Sequence, residues 1–374
     1  MKYKFADIAE NSVAKRLPTE EDRLLYIGLE HLESGSLSIS HWGSAVPLKG
    51  EKLIMKKGDI LFGKRNTYLR RASIAPHDGL FSAHGMVLRP KTDVVCEEYF
   101  PFFVNSDQFF SKTIQISVGS LSPTVNWKDM RELEFDLPPL DRQRELAELL
   151  WAANDLKEKY KKLITASDEM LKAKFREMFG EKDASSNGYR VDMLSNLLVI
   201  ERGGSPRPIS KFITDDPAGI NWIKIGDVAV GDKYITKTAE KIIPEGERKS
   251  RRVYPGDFLL SNSMSFGRPY ILKIEGCIHD GWLVLRDEKG HFDKMFLYYL
   301  LQSDDARRFF ESMASGSTVK NLNKEWVGAL RVCVPPLDLQ RQFVEIAAQE
   351  EKAKANLKKS IADVDNIIKG LING

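Results

Sequence analysis

Two long stretches of the chain repeat apolar residues at the spacing of an amphipathic helix. Residues 141–179 and 338–372 contain no proline, and lysine and glutamate surround their apolar positions. Side chains three and four apart share a helix face, so each stretch predicts a long helix with an apolar seam over four heptads. The first seam is Leu146, Leu149, Ala153, Leu156, Tyr160, Leu163, Ser167 and Met170. The second is Phe343, Ile346, Glu350, Ala353, Leu357, Ser360, Val364 and Ile367.

The two seams predict an antiparallel coiled coil between the two helices. The alternative is that each stripe packs into the core of a helix bundle, but the sequence has no third long helix to complete one. Pairing the seams in antiparallel order sets an expected register. Its predicted pairs are Leu156–Leu357, Tyr160–Ala353 and Met170–Phe343.

The ends of these helices carry their own signals. Pro138-Pro139 and Pro335-Pro336 end the strand before each helix, because proline donates no ladder hydrogen bond. Asp141 and Asp338 follow, where they are expected to cap the helix amino termini. Gly180 is expected to end the first helix before a polar linker.

The rest of the chain has short β-like runs broken by glycine, proline, asparagine and aspartate. Runs such as 59–62, 86–88 and 257–260 predict strands, and 98–112 and 292–313 predict helical insertions. The pattern indicates an α+β chain with two mixed α/β domains joined by the two long helices. The predicted boundaries are a first domain at 1–140, a helix at 141–180, a linker at 181–187, a second domain at 188–337 and a helix at 338–374.

The two halves repeat one plan in the same order. LPPLDRQRELAELL (137–150) returns as VPPLDLQRQFVEIA 197 residues later, and NSDQFFSKTIQISVGS (105–120) is echoed by QSDDARRFFESMASGS at the same offset. GDILFGKRN (58–66) returns as GDFLLSNSM, and YIGLEHL (26–32) as WIKIGDV. An ordered series of such matches indicates an internal duplication. The second copy has about ten extra residues near its start.

Two different domains joined by a stiff helical spacer would match the symmetry of duplex DNA, which has a dyad perpendicular to its axis. At 1.5 Å per residue each helix would be ~50–60 Å long, about one and a half turns of B-DNA. Such a chain would read two different half-sites and ignore the base pairs between them. Coiled coils also serve as scaffolds, so the spacer alone leaves a protein-binding scaffold open.

Basic and polar loops fall at the same place in both copies. GKRNTYLRR (63–71) corresponds to SNSMSFGRP (261–269), with RGGSPRP (202–208) and ERKSRR (247–252) upstream. Arginine and lysine neutralise phosphates, while asparagine and arginine pair with adenine and guanine edges. The alternative for each loop is a solvated surface. The candidate DNA contacts are Lys64, Arg65, Asn66, Tyr68, Arg70, Arg71, Arg202, Ser205, Arg207, Asn262, Ser263, Arg268 and Lys320.

Composition narrows the classes without choosing among them. Lys and Arg total 56 against 53 Asp and Glu, so any nucleic-acid surface must be local. The three cysteines are far apart, and no apolar run is long enough for a membrane span or signal peptide. A reducing cytoplasm without membrane partners is the expectation.

These motifs resemble the specificity subunits of type I restriction-modification systems over nearly the whole chain. The resemblance rests on the twin LPPLDRQRE and VPPLDLQRQF segments, with RGGSPRP, WIKIGDV, SNSMSFGRPYI and GKRNTYLRRASIAP. It implies two target recognition domains, similar to those of adenine-specific methyltransferases, and helices that set the half-site spacing. It also implies two methyltransferase subunits and restriction/translocase subunits as partners, which would carry S-adenosylmethionine, ATP and Mg. The first domain departs from the pattern, because it lacks the Gly-Gly-Ser-Pro-Arg stretch.

Catalytic motifs are not found in the sequence. There is no Asn/Asp-Pro-Pro-aromatic motif, no phosphate-binding loop and no HExxH pair, and His77 and His84 suit polar or core roles better than a metal site. We therefore expect no cofactor or metal in this chain and a non-catalytic role. The alternatives are a self-contained DNA methyltransferase or nuclease, and a coiled-coil scaffold that binds no DNA. The repeated polar faces near 142–144 and 340–342 either dock methyltransferase subunits or solvate the helix ends.

Overall fold

Each half of the chain builds its own unit from one globular head and parts of both long helices. The structure is a computed structural model that describes residues 1–180, 188–229, 231–262, 267–314 and 322–373. Unit 1 comprises Met1–Leu163 and Asn356–Gly374, and unit 2 comprises Ile164–Ala355. We call the parts before the long helices head 1 and head 2. The expected linker at 181–187 lies outside the described residues.

Head 1 consists of short strands and short helices that lead into the first long helix. The strands are β1 (Lys2–Lys4), β2 (Ala9–Ser12), β3 (Lys15–Arg16), β4 (Tyr26–Ile27), β5 (Lys52–Met55), β6 (Ile60–Phe62), β7 (Ala72–Ile74), β8 (Gly79–Phe81), β9 (Met86–Pro90) and β10 (Glu134–Asp136). The helices are α1 (Phe5–Ile8), α2 (Phe100–Val104), α3 (Asp107–Gln115), α4 (Trp127–Met130) and the long α5 (Leu140–Phe179).

Two four-stranded sheets of head 1, ordered β2-β9-β6-β7 and β3-β5-β8-β4, bury the centre of the head between them. Successive residues of β6 point to opposite faces. Ile60 and Phe62 join the aromatic core formed with the helices, whereas Leu61 packs towards the other sheet. Both faces are buried, which explains why these strands are continuously apolar instead of alternating.

Head 2 has the same layout with additional strands. The strands are β11 (Arg190–Met193), β12 (Val199–Arg202), β13 (Ile213–Thr214), β14 (Ile220–Ile223), β15 (Tyr234–Ile235), β16 (Glu240–Ile242), β17 (Arg251–Val253), β18 (Phe258–Ser261), β19 (Pro269–Leu272), β20 (Gly276–Ile278), β21 (Trp282–Arg286) and β22 (Arg331–Val334). The helices are α6 (Leu194–Leu197), α7 (Pro244–Glu247), α8 (Lys294–Gln302), α9 (Asp304–Ala314), α10 (Lys324–Gly328) and the long α11 (Leu337–Asn373).

The sheet pairings repeat between the heads, as the duplicated sequence predicts. The antiparallel pair β1–β10 returns as β11–β22, and the order β2-β9-β6-β7 returns as β12-β21-β18-β19. The parallel pair β4–β8 returns as β14–β20. Near its start head 2 adds β13, which pairs with β16 in the region where the second copy is longer. The described helices and sheets establish the α+β fold.

A repeated ion pair gives the glycine-aspartate turns a structural role. Asp59, after Gly58, accepts from the Arg89 Nε at 2.7 Å and from the Lys56 N–H at 2.8 Å. Asp257, after Gly256, binds Arg286 at 2.7 Å and accepts from the Tyr254 N–H at 3.0 Å. Each carboxylate closes a turn and neutralises an arginine of the central sheet.

The amino-terminal ends of the long helices differ slightly from the prediction. Asp141 and Asp338 lie within the first turn instead of at the cap, because α5 begins at Leu140 and α11 at Leu337. There their negative charges interact favourably with the helix dipole. Asp141 forms an ion pair with Arg144 at 2.7 Å, and Asp338 forms one with Arg341 at 3.4 Å. Gly180 follows α5 with a φ of 81°, the left-handed conformation that ends a helix.

The two long helices pack antiparallel within each unit. In unit 1 Lys157 Nζ lies 2.6 Å from Asp365 Oδ1, while Trp151, nearer the start of α5, packs in the same core cluster as Leu371. In unit 2 the Phe343 ring centroid lies 5.1 Å from that of Phe175, and Ser167 donates to Glu350 at 2.6 Å. In both units, residues farther along α5 lie beside residues nearer the start of α11, which is the antiparallel arrangement.

The buried face of α5 lies one residue away from the predicted seam. Leu150, Lys157, Leu171 and Phe175 are buried, whereas the predicted seam residues Leu149, Leu156, Leu163 and Met170 expose 53%, 41%, 53% and 50% of their surface. The prediction was wrong at these four positions. A second apolar stripe runs beside the true seam, and at Lys157 the seam is filled by an aliphatic stem that apolar patterning does not count.

The other seam residues vary in burial. Leu146, Phe343 and Val364 are buried. Four are half-buried: Ala153, Tyr160, Ile346 and Leu357. Ala353 and Ile367 are exposed, so the prediction was wrong there too.

The predicted register is also wrong. The Lys157–Asp365 pair places Leu156 beside residues near 365, about eight residues or ~12 Å from Leu357 along the helix. Phe343 contacts Phe175 and Phe179 in place of Met170. The third predicted pair, Tyr160–Ala353, depended on the same register. Large aromatic residues at 175 and 179 decide the alignment, and the sequence alone gave them no priority over the leucines.

Candidate nucleic-acid interface

The loop 63–71 of head 1 connects β6 to β7 in a strained conformation. Asn66 and Arg70 adopt φ values of 55° and 51°, in the left-handed region that few non-glycine residues occupy. The Gly63 N–H donates to the Arg71 carbonyl at 2.9 Å and closes the loop at its base. Backbone strain held in place by its surroundings is common at binding sites.

Three side chains of this loop are available for a ligand. Lys64 is half-buried, and both burial and the positive charge of Lys15 lower its pKa. Among the described residues no acidic side chain pairs with Lys64. Arg65 is exposed, with Nη2 donating to Ser122 Oγ at 3.2 Å, and Tyr68 is 54% exposed. Two neighbouring cations without an acidic partner favour an anion.

The other three predicted residues of the loop contact the protein itself, Arg70 and Arg71 through their side chains and Asn66 through its backbone. Arg70 forms an ion pair with Asp107 and lies 5.2 Å from the Phe110 ring centroid. Arg71 Nη1 donates to the Leu29 carbonyl at 3.1 Å. Asn66 donates its backbone N–H to the Pro123 carbonyl at 2.7 Å, and its buried Oδ1 has no hydrogen-bond partner. These contacts build the loop and leave little of the three side chains for DNA.

Sequence reasoning missed Lys15 on β3. It is exposed and near Lys64, in the part of head 1 that corresponds to RGGSPRP of head 2. A lysine at the start of a Lys-Arg pair was visible in the sequence, but its proximity to loop 63–71 depends on the folding of the β3-β5-β8-β4 sheet. The neighbouring Arg16 binds Asp22 at 2.6 Å.

In head 2 the segment 202–208 gathers around one carboxylate. Arg202 Nε donates to the Asp280 carbonyl at 3.0 Å, and Ser205 Oγ donates to Asp280 Oδ1 at 2.8 Å. Arg207 lies 3.5 Å from Asp280 with 81% of its side chain exposed. Burial alone would raise the pKa of Asp280, but the Ser205 hydrogen bond and the neighbouring His279 lower it. The carboxylate holds the segment while both guanidinium groups remain accessible.

The two glycines of this segment serve internal packing. A Cβ on Gly203 would lie 2.1 Å from the His279 carbonyl oxygen, and one on Gly204 would lie 2.7 Å from the Lys249 carbonyl oxygen. The close approach of another backbone that glycine permits is therefore one of protein to protein here. It brings 202–207 beside exposed Arg248 and Lys249. Arg251 and Arg252 bind Glu201 and Glu247 at 2.9 and 3.4 Å.

The remaining predicted contacts of head 2 divide into buried and undescribed residues. Asn262 is 1% exposed, and its Nδ2 donates to the Asp280 carbonyl at 2.9 Å, so this side chain supports the fold and does not face a groove. Arg268 is half-buried, and its Nη1 is buried without a hydrogen-bond partner among the described residues. Ser263 and Lys320 lie outside the described residues.

Two other features limit the chemistry. His77 stacks edge-on against Trp42, with ring centroids 4.9 Å apart, and the described residues contain no group of His, Cys, Asp and Glu side chains that would hold a metal ion. In the described part of the chain no helix is both long and apolar enough to cross a membrane.

Comparison with known proteins gives these loops a context. Residues 2–166 match the family model described as the type I restriction modification DNA specificity domain. A protein assigned as the type I restriction enzyme MjaX specificity subunit of Methanocaldococcus jannaschii is 21% identical, covering 90% of this chain and 84% of its own. The MjaVIII specificity subunit of the same organism is 20% identical, and the match covers 91% of this chain and 84% of that protein. The chain is therefore similar to type I restriction enzyme specificity subunits over about nine tenths of its length, and its residues 2–166 match their DNA specificity domain.

The fold of the chain agrees with that of a solved structure. A chain from work on complex assembly and conformational transition of the type I R-M system aligns over 100% of this chain and 96% of its own. The TM-score is 0.66 at 18% identity. This likeness establishes the shared fold.

The repeated glutamines, Gln143 and Gln340, form hydrogen bonds within the protein. Gln143 Oε1 accepts from the Cys96 N–H at 2.7 Å, and its Nε2 donates to the Val94 and Pro138 carbonyls. Gln340 makes the equivalent three bonds, to the Asp293 N–H and to the His291 and Pro335 carbonyls. Both are buried. They tie each head to its long helix and cannot form the partner surface for which 142–144 and 340–342 were considered.

Proposed function

We propose that this chain is the non-catalytic DNA-recognition subunit of a type I restriction-modification complex and that it reads an asymmetric, bipartite target. Residues 1–140 and 188–337 are the two target recognition domains, one for each half-site. The observation that carries this proposal is the duplicated head, in which each copy exposes basic side chains on loops beside its central sheets. Because the two sets of side chains differ, the two half-sites differ in sequence.

In head 1, Lys15, Lys64 and Arg65 supply positive charge, and Tyr68 adds an exposed ring. In head 2 the exposed basic side chains are Arg202, Arg207, Arg248 and Lys249. Exposed lysine and arginine side chains suit phosphates, and arginine also reads guanine edges. Arg70, Arg71 and Asn262 act indirectly, by holding the loops in shape.

The partner surface lies on the outer face of α5. In unit 1, Leu149, Leu156 and Leu163 are exposed at seven-residue spacing, which is the pattern of a helix-binding seam. A partner helix packed there would bury them. We assign this stripe to the docking of methyltransferase subunits, two of which assemble with one chain. Restriction/translocase subunits join that complex, and S-adenosylmethionine, ATP and Mg act in the partners.

Binding of the full chain to DNA as a function of salt tests the proposal. Affinity should fall linearly with salt on a log–log plot between 50 and 200 mM, because phosphate contacts release counterions. Lys64→Ala should reduce the slope by about one. Lys57→Ala is the matched control, since Lys57 is exposed in the turn before β6, at the other end of the strand from loop 63–71. Its slope should equal that of the wild type.

Two results would point to the alternatives. An affinity for DNA that stays flat across this salt range would favour a protein-binding scaffold. Methyl transfer by the purified chain with S-adenosylmethionine, in the absence of partners, would favour a self-contained methyltransferase.

A further inference from the structure

A hairpin in head 1 stands beside the basic loop. The Val118 N–H donates to the Thr124 carbonyl at 3.0 Å, and the Thr124 N–H returns a bond to the Val118 carbonyl at 2.9 Å. The segment between them, Gly119–Pro123, forms the tip. We call residues 118–124 the tip hairpin.

The tip hairpin is fastened to loop 63–71 at three points. The Asn66 N–H donates to the Pro123 carbonyl at 2.7 Å, and Arg65 Nη2 donates to Ser122 Oγ at 3.2 Å. The Val125 N–H donates to the Lys64 carbonyl at 3.0 Å. The last bond recurs in head 2, where the Leu322 N–H donates to the Asn262 carbonyl at 2.8 Å. The bond that follows the hairpin is therefore a feature of the duplicated plan, and the head 2 counterpart of the hairpin itself, 315–321, lies outside the described residues.

One bulky apolar side chain protrudes from the tip. Leu121 is 96% exposed, and its neighbours are Gly119, with a φ of 116°, Ser120 and Ser122. Small neighbours make the tip narrow. A leucine left in water forgoes the free energy of burying its apolar surface, so a leucine that a fastened hairpin holds in solvent suits a surface that will cover it.

The charge around the tip specifies what would cover it. Lys64, Lys15 and Arg65 surround the base of the hairpin without an acidic partner among the described residues. A protein partner with an apolar pocket would not require these cations, whereas a DNA groove offers apolar base surfaces between two rows of phosphates. Leucine is among the apolar side chains that proteins insert between bases, and thymine methyl groups offer another apolar contact.

We propose that Leu121 is a specificity-determining residue of head 1, inserted into a groove of the target and buried against the bases of one half-site. This inference rests on the proposed function and deepens it. Lys64, Lys15 and Arg65 hold the flanking phosphates, and the fastened hairpin delivers the leucine without paying an ordering cost on binding.

The test uses the full chain and a target selected from random duplexes with the wild-type protein. Leu121→Ala should weaken binding of that target by about 10- to 100-fold, the loss expected for a leucine buried on binding. It should also relax base preference at one or two positions of a single half-site, measured by competition with every single-base substitution. Leu24→Ala is the control, because Leu24 is exposed in the same head and is not part of the hairpin or of loop 63–71. The control should bind within about twofold of the wild type.

Two DNA probes separate the possible base surfaces. Replacing thymine by deoxyuracil abolishes the effect of Leu121→Ala if the leucine contacts a methyl group. An increase in 2-aminopurine fluorescence with wild-type protein, lost with Leu121→Ala, indicates insertion between bases. Unchanged affinity and unchanged base preference for Leu121→Ala would overturn the inference, and so would a uniform weakening at all positions. If the wild type selects no target at all, the proposed function itself fails.

Discussion

At the scale of single residues, Gln143 and Gln340 show how much of the repeated sequence serves attachment of the heads. Each makes two hydrogen bonds from the first turn of a long helix to the loop before a helix of its own head, and a third to a proline carbonyl just before the long helix. Gln340→Ala would leave the Asp293 N–H and two carbonyls without a partner. We expect it to lower the free energy of unfolding by about 2–4 kcal/mol, since buried unsatisfied groups are costly.

Arg341→Ala is the control for this variant. Arg341 neighbours Gln340, is exposed and pairs only with Asp338 at 3.4 Å. Surface changes of this kind are usually worth within about 0.5 kcal/mol. Urea denaturation measures the free energy of unfolding of both variants. Equal effects of the two substitutions would contradict the role of Gln340 in attaching head 2 to its long helix.

His279 makes a prediction about pH. Its Nε2 lies 3.1 Å from the Ile225 nitrogen and its Nδ1 lies 2.6 Å from the Gly281 nitrogen, so protonation would put a proton against a backbone N–H. Burial lowers its pKa, although Asp280 and Asp227 oppose the shift and Lys224 adds to it. The stabilising contribution is therefore complete above the ordinary pKa of about 6.5 and is lost as the pH falls towards the lower folded-state pKa.

Thermal unfolding between pH 7.5 and 5 measures this contribution. The loss of Tm with falling pH should be smaller in His279→Gln than in the wild type, because one titrating group is removed. His77→Gln, in head 1, should retain the full dependence. The same slope in His279→Gln and wild type would contradict the assignment.

These residue-scale roles also show where sequence reasoning ends. The position of the basic loops could be predicted from the repeat, as could the strands around them. Which side chains face outward could not. Asn262 and Arg70 are residue types that read bases, but the Asp280 carbonyl and the Asp107 carboxylate bind them, and those partners are 18 and 37 residues away.

At the scale of elements, two equivalent ion pairs join the long helices, one in each unit. Lys157 of α5 binds Asp365 of α11 in unit 1, and Lys354 of α11 binds Asp168 of α5 in unit 2. The repeat offset of 197 residues converts one pair into the other with the two helices exchanged. Length and helical character were predictable from periodicity. The register was not, because it depends on which of two adjacent apolar stripes matches the aromatic residues of the partner.

A charge-reversal experiment tests this register. Lys157 is buried beside Asp365, so Lys157→Glu should destabilise the chain by about 3–5 kcal/mol through an uncompensated buried charge. Asp365→Lys in the same chain should restore most of that loss.

Asn366→Lys is the control, since Asn366 is the exposed neighbour of Asp365. It should not rescue Lys157→Glu. Rescue by lysine at 366 and not at 365, measured by urea denaturation, would show that the helices are aligned differently.

At the scale of the whole molecule, the helices are proposed to set the distance between the half-sites. Inserting four residues into either long helix adds about one turn, or ~6 Å. The spacer tolerated in the target should then change by about one or two base pairs, because base pairs are ~3.4 Å apart. An unchanged spacer preference in the inserted variants would remove the helices from that role.

The most direct measurement is to sequence the duplexes that the full chain retains from a random pool. The account predicts two unlike half-sites separated by a gap of constant length and unconstrained sequence. A single uninterrupted motif, or two motifs whose separation varies freely, would contradict it.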